Sequence, residues 1–167
     1  GSTGRPKGVS VSHRAVVNQL EWKRSEYGLD SSDVSLLKTA ATFDLSVWEL
    51  WSWATTGGRL VIAAAEGHRD PAYLVEVIER ESVTTLHVVP SVLGALVSAS
   101  GGSLPGSVRR VLAIGEALPA STAESVLQGS DVRLDGGDVR LDNVYGPTEA
   151  AVSVTSTRVE LPVGSTV

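Results

Sequence analysis

Apolar residues recur in short, nearly continuous runs that alternate with segments of helical period. Val34 to Leu37, Arg59 to Ala63, Thr84 to Val89, Val108 to Ile114 and Leu141 to Tyr145 read as strands, the first of them buried on both faces. A shorter run, Val9-Ser10-Val11, reads as a further strand. Ser12 then caps a helix whose apolar face takes in Ala15, Val16, Val17 and Leu20 toward Trp22, and Gly28 ends it. Asp44 or Ser46 opens a second helix through Val47 to Trp53, closed by Gly57-Gly58. Pro71 starts a helix through Leu74, Val77 and Ile78, and Pro90 starts another over Ser91 to Ser98. After a flexible link at Gly101-Gly102-Ser103, a last helix spans Pro119 to Leu127. This repeated alternation predicts an α/β protein, a largely parallel β-sheet covered by helices.

Composition narrows the classes open to it. A chain of 167 residues is long enough for one domain with a core of its own. Net charge −5 argues against a nucleic-acid or anionic-membrane surface. No apolar run approaches the ~20 residues of a membrane span, and no signal peptide is evident. The absence of cysteine excludes disulfides and thiolate metal sites and fits a cytoplasmic protein. The chain also lacks methionine, even at position 1, so a piece of a longer protein is expected. Asp131 to Asp135 recurs as Asp138 to Asp142 across Gly136-Gly137, which reads as a surface loop insertion.

Candidate chemistry gathers in a few stretches. Gly1-Ser2-Thr3-Gly4-Arg5-Pro6-Lys7-Gly8 combines glycine backbone freedom, two hydroxyls and a lysine, the makings of a polyphosphate loop. Taken alone such a segment is more often an ordinary loop, and a Gly-Ser start is also what tag cleavage leaves. Asn143-Val144-Tyr145-Gly146-Pro147-Thr148-Glu149 carries a ring for a base, a hydroxyl for a phosphate and a carboxylate for Mg²⁺ on what is otherwise a polar turn. Asp44, between apolar stretches, reads as a helix cap or as the partner of an ammonium group in a pocket. His87, in an apolar run, reads as a core residue, whereas His13 and His68 read as surface or capping residues. Trp48, Trp51 and Trp53 read mostly as core, with one available to line a pocket. Gly115-Glu116-Ala117-Leu118 falls between a strand and a helix, in the crevice where open α/β sheets bind ligands.

Three of these clusters stand in one order: Gly1 to Gly8, then Phe43-Asp44-Leu45-Ser46-Val47-Trp48-Glu49-Leu50, then Asn143 to Glu149. Together they closely resemble the adenylation domains of nonribosomal peptide synthetases, within the adenylate-forming superfamily. Gly67 to Pro71, Thr84 to Ser91 and Gly115 to Pro119 agree, so the resemblance covers essentially the whole chain. It implies that residues 1–167 form the central part of the large N-terminal subdomain of such an enzyme, with the C-terminal subdomain absent. The implied reaction joins ATP and an amino acid into an aminoacyl-adenylate with release of pyrophosphate. The amino acid then passes to a phosphopantetheinylated carrier domain, beside a condensation domain of the same assembly line.

Residue roles follow the same resemblance. Ser2, Thr3, Gly4 and Lys7 match the loop on the β- and γ-phosphates; Gly115 and Glu116 flank the adenine, Tyr145 stacks on it and Asn143 lies beside it. Thr148 contacts phosphate and Glu149 holds Mg²⁺, so Lys7, Thr148 and Glu149 are the expected catalytic residues. Asp44 matches the acceptor of the α-ammonium group, and Leu45, Trp48, His87, Leu112, Ile114, Val144, Val152 and Ser153 match the side-chain pocket. Asp44, Trp48 and His87 are similar to a serine-activating pocket, from which Ile114 and Ser153 depart. The lining is mostly apolar with His87 and Ser153 as polar handles, which favours a small or medium polar side chain. The ribose-binding aspartate, the hinge and the C-terminal catalytic lysine of the family are missing, so this polypeptide alone is expected to be inactive. An acyl- or aryl-CoA ligase of the same superfamily is the alternative, which the carboxylate of Asp44 disfavours; a non-catalytic nucleotide-binding module is the other.

Overall fold

The structure is a computed structural model that describes residues 4, 8–129 and 138–163. Its elements in chain order are α1 (His13–Glu26), β1 (Val34–Leu37), α2 (Leu45–Thr56), β2 (Arg59–Ile62), α3 (Pro71–Arg80), β3 (Thr85–Val88), α4 (Pro90–Ala99), β4 (Arg110–Ile114), α5 (Ala120–Gln128), β5 (Arg140–Tyr145) and β6 (Thr155–Arg158). The strands form one sheet in the order β2-β1-β3-β4-β5-β6, parallel throughout except for β6, which runs antiparallel to β5. The α/β class read from the sequence is the one observed.

Alternation along each central strand divides the side chains between two faces. Leu86 and Val88 of β3, Val111 and Ala113 of β4 and Leu141 of β5 join Leu74, Ile78, Leu93, Leu96, Leu118 and Val126 in one apolar core. Its helical members come from α3, α4 and α5. Leu112, Ile114 and Val144 face the other way, against Leu20 of α1 and Leu45 and Trp48 of α2. Burying a side chain of this size gives roughly 1.5–3 kcal/mol, so the helices are held mainly by their apolar faces.

Local signals set the element ends. Ser12 Oγ accepts from the Ala15 N–H at 3.2 Å and caps α1. Asp70 caps α3 by accepting from Ala72 N and Tyr73 N, with Pro71 in the first turn. Gly57, at φ +74°, ends α2 in the left-handed region that glycine enters without strain.

Several expectations are corrected. Val9 to Val11 is not a strand: Val9 is exposed and no strand lies beside it among the described residues. Trp51 and Trp53 are 49% and 42% exposed on the outer face of α2, so Trp48 alone of the three is core. The antiparallel β6 was not foreseen, because Thr155–Arg158 carries polar residues on an edge strand and no apolar run. Asp131 to Asp135, the first half of the duplication, lies outside the described residues.

Candidate functional site

A cavity of about 460 Å³ opens at the carboxyl ends of the parallel strands. Lys38 and Thr39 reach it from the end of β1, Val89 from β3, Ile114, Gly115 and Glu116 from β4, and Gly146 from β5. Ala40, Phe43, Asp44 and Leu45 line it from the entry to α2, joined by His68, Val92 and Val152. The chain winds outward from β1 in one direction and from β3 in the other, and open sheets hold ligands at this switch point.

Glu49 of α2 fixes one wall. It is fully buried, and its carboxylate accepts from Lys38 N at 3.0 Å, Thr39 N at 2.8 Å, Thr39 Oγ1 at 2.8 Å and Lys38 Nζ at 2.7 Å. Lys38 Nζ also donates to the His87 carbonyl at 2.6 Å, which ties the ends of β1 and β3 together. A buried ion pair is tolerated only when its remaining hydrogen-bonding capacity is met, as it is here. Sequence reasoning gave Glu49 no role, although it sits inside the Phe43–Leu50 motif.

Asp44 occupies the N-cap position of α2, yet its side chain makes no capping bond. Oδ2 instead accepts from Thr148 Oγ1 at 2.7 Å, across 104 positions of sequence. Of the two readings of Asp44, the cap is therefore corrected: its backbone is already helical, which turns the carboxylate away from the N–H groups it would have capped. The contact also brings the second and third sequence clusters into one place. The turn that carries Thr148 depends on Gly146, where a Cβ would lie 2.3 Å from Ser153 Cα and 2.8 Å from the Val152 carbonyl oxygen. Tyr145 is 70% exposed, its ring free to receive a flat partner. Glu149 is also exposed, and Asn143 is half-buried in β5. Glu116 accepts from Ser91 N at 2.9 Å and Ser91 Oγ at 3.0 Å at the start of α4, beside Gly115 at φ +96°.

The residues expected to form the side-chain pocket fall into layers. Leu45, Ile114 and Val152 stand on the cavity wall. Trp48, Leu112 and Val144 are buried in the same cluster immediately behind them. His87 is 1% exposed, edge-on to Trp48 with ring centroids 5.9 Å apart. Ser153 is buried but off this wall; its carbonyl accepts from Gln19 Nε2 at 2.6 Å, and the side chains meet at 3.4 Å. Its hydroxyl is thus engaged by α1. His68 is exposed, as its polar surroundings suggested, and also lines the cavity. Gly4 is exposed, while Ser2, Thr3 and Lys7 lie outside the described residues.

Beneath this layer is a group that sequence reasoning missed. Lys23 of α1 is 1% exposed, and its Nζ lies 2.7 Å from His87 Nε2, donates to Ser52 Oγ and stands 5.1 Å from the centre of the Trp48 ring. Burial lowers its pKa to about 7, against the opposing pull of Glu49 and Asp33. Burial first, then the charges of Lys23 and Lys38, holds His87 well below the ordinary histidine value. Spacing could have exposed Lys23, since it continues the stripe of Val16, Leu20 and Tyr27.

A crevice at a doubly wound switch point, edged by a Gly-Pro-Thr-Glu turn, defines the class: the profile of the AMP-binding enzymes matches residues 1–166, and the chain belongs to that family. It is 43% identical over 161 residues to vanchrobactin synthetase VabF of Vibrio anguillarum, an alignment covering 93% of this chain and 5% of that protein. It is 42% identical over 159 residues to enterobactin synthase component F of Escherichia coli K12, covering 93% of this chain and 12% of that protein. The crystal structure of the Vibrio cholerae adenylation domain AlmE in complex with glycyl-adenosine-5'-phosphate matches it with a TM-score of 0.83 at 27% identity, over 100% of this chain and 30% of that one. The chain thus spans a small part of the length of its relatives. Among the described residues, no helix is long and apolar enough to cross a membrane.

Proposed function

We propose that the chain is the central part of an amino-acid adenylation domain of a nonribosomal peptide synthetase, and that the cavity seats the amino acid. The observation that carries this reading is the Asp44–Thr148 contact at 2.7 Å. It sets a carboxylate suited to an α-ammonium group beside a hydroxyl suited to a phosphate, at the mouth of a largely apolar cavity. Asp44 orients the amino acid so that its carboxylate oxygen meets the α-phosphorus of ATP, and pyrophosphate leaves. Catalysis then consists of positioning and charge neutralisation. Tyr145 receives the adenine with Gly115, Glu116 and Asn143 beside it. Ser2, Thr3, Gly4 and Lys7 hold the outer phosphates, and Lys7, Thr148 and Glu149 steady the charge that develops.

Among the described residues no cluster of three histidine or carboxylate groups forms a metal cage. The single exposed carboxylate of Glu149 fits Mg²⁺ as the nucleotide carries it, bound by one or two carboxylates and the phosphates. That ion would add charge neutralisation at the phosphates. Leu45, Ile114 and Val152, backed by Trp48, Leu112, Val144 and His87, shape the side-chain end of the pocket. The relatives' names and the AlmE complex support amino-acid activation. Transfer to a carrier domain, beside a condensation domain in a cytoplasmic assembly line, completes the proposed reading.

The test is amino-acid-dependent ATP–pyrophosphate exchange by the intact parent protein over a panel of amino acids. Exchange with an amino acid, abolished in Asp44→Ala, is the expected result. Exchange only with carboxylic acids lacking an amine would replace this reading with an acyl-activating ligase.

A further inference from the structure

Trp48 and His87 have expected places at the side-chain end of the pocket, whereas Lys23 belongs to a different helix and has none. Yet Lys23 Nζ lies within hydrogen-bonding distance of His87 Nε2, at 2.7 Å. Ser52 Oγ donates its own proton to the Trp48 carbonyl, so it can only accept from Lys23. In its ammonium form, which it keeps below a pKa of about 7, Lys23 has three N–H donors and no lone pair. One proton therefore goes to Ser52 and another to His87 Nε2, and the proton of the neutral imidazole sits on Nδ1. That atom is fully buried and has no hydrogen-bond partner among the described residues.

An unpaired buried donor is costly, and it is relieved by an acceptor brought in from outside. His87 pairs with Leu112 across β3 and β4. Leu112 packs in one cluster with Leu45, Ile114 and Val152, the three side chains on the cavity wall. The unsatisfied donor thus belongs to the layer directly behind the proposed side-chain pocket.

We propose that Lys23 is a positioning residue that fixes the tautomer of His87, and that the Nδ1–H donor so created selects amino acids whose side chains offer a hydrogen-bond acceptor, such as a hydroxyl or a carboxamide oxygen. This inference rests on the amino-acid-activating reading given above. It assigns selectivity to a residue that does not touch the substrate.

The test uses ATP–pyrophosphate exchange by the intact parent protein at pH 6, where Lys23 is an ammonium, with near-isosteric pairs: serine against 2-aminobutyrate, threonine against valine, asparagine against leucine. The wild type should favour the acceptor-bearing member of the pair that fits by about tenfold or more in kcat/KM. Lys23→Met should bring the two members toward parity without loss for the hydrocarbon member. Lys23→Gln, whose amide still donates, should restore the preference. A residue that merely supports packing would lower both members equally, and that result overturns the inference. So does a wild type that exchanges with amino acids but favours the hydrocarbon member or neither. Absence of exchange with every amino acid overturns the functional reading itself. Should Lys23→Met fail to fold, the wild type and Lys23→Gln decide: a shared preference for the acceptor supports the inference, and parity in the wild type overturns it.

Discussion

At the amino ends of the strands, buried charges meet opposite charges. Asp33, 4% exposed, accepts from Arg110 at 2.6 Å and Arg109 at 3.2 Å, with the Thr84 hydroxyl donating at 2.9 Å. Asp142 pairs with Arg140 at 2.7 Å, and Arg140 also reaches Glu26 at 2.8 Å. At the carboxyl ends Lys38 and Glu49 are paired in the same way, but the groups at the cavity mouth are not. Asp44 has a neutral hydroxyl as its partner among the described residues, and Glu149 and Tyr145 face solvent beside an open cavity. One end of the sheet is finished by its own side chains, and the other keeps groups available for a ligand. The contrast teaches that charge by itself does not mark a site; what marks it is charge without a charged partner at a concave surface.

The sharpest way to break this contrast is Asp44→Ala. Amino-acid-dependent exchange should fall about a hundredfold or more, the scale of truncating one member of a desolvated charge pair. The denaturation midpoint should hardly move, because among the described residues no charge depends on Asp44 for its partner. Asp33→Ala should do the reverse. It leaves Arg109 and Arg110 without their shared carboxylate and should cost about 3 kcal/mol in chemical denaturation, with KM for the amino acid little changed. A large KM effect from Asp33→Ala would mean that the two ends are coupled through the strands.

Lys23 lies between the two ends and titrates in an accessible range. Its folded value of about 7 is below the ordinary 10.5, so between those values the unfolded chain holds a proton that the folded chain has shed. Stability from this group therefore rises with pH from about 7 toward 10.5, while below 7 the burial cost stays in full. Glu49 and Asp33 oppose the shift, and His87, Ser52 and Trp48 surround the amine. Lys23→Met should consequently be more stable than the wild type at pH 6 by a few kcal/mol, with the gap shrinking toward pH 9 at up to about 1.4 kcal/mol per unit. Denaturation curves of both proteins at pH 6, 7.5 and 9 measure this. A gap independent of pH would show that Lys23 does not change charge in that range.

Much of this architecture was readable before any coordinates. The β–α alternation is a pattern of burial, and continuous runs such as Leu86 to Val89 betray a parallel sheet covered on both faces. The Ser12 cap of α1, the Gly57 stop of α2 and Pro71 at the start of α3 were readable because they act within a few residues. The clusters around Asp44 and Thr148 were visible as motifs, whereas their 2.7 Å contact spans 104 positions and is set by tertiary packing. Lys23 was legible in part. Its place on the buried stripe of α1 was open to reading by spacing, but its partners His87 and Ser52 come from other elements and are set by tertiary packing. Ser153 was matched to the pocket by resemblance alone, which said nothing of Gln19 meeting its hydroxyl from α1. Trp51 and Trp53 look like core by composition and lie on the outer face of α2, so residue type alone does not establish burial.

The smallest effect concerns the hydroxyl that joins the two motifs. Thr148→Val keeps the shape of the side chain and removes the donor to Asp44. If the hydroxyl only restrains the carboxylate, Asp44 retains its charge and the ammonium group still finds it; KM for the amino acid should then rise about fivefold to tenfold, the net worth of one ordinary hydrogen bond. If the hydroxyl also serves the phosphates, kcat should fall as well, and KM for ATP with it. The two outcomes separate in one set of exchange kinetics with each substrate varied in turn. A loss confined to the amino acid would assign Thr148 to the ammonium side of the crevice. A loss shared with ATP would make this hydroxyl the point at which both substrates are sensed, and a change in neither would leave the Asp44–Thr148 contact without functional consequence.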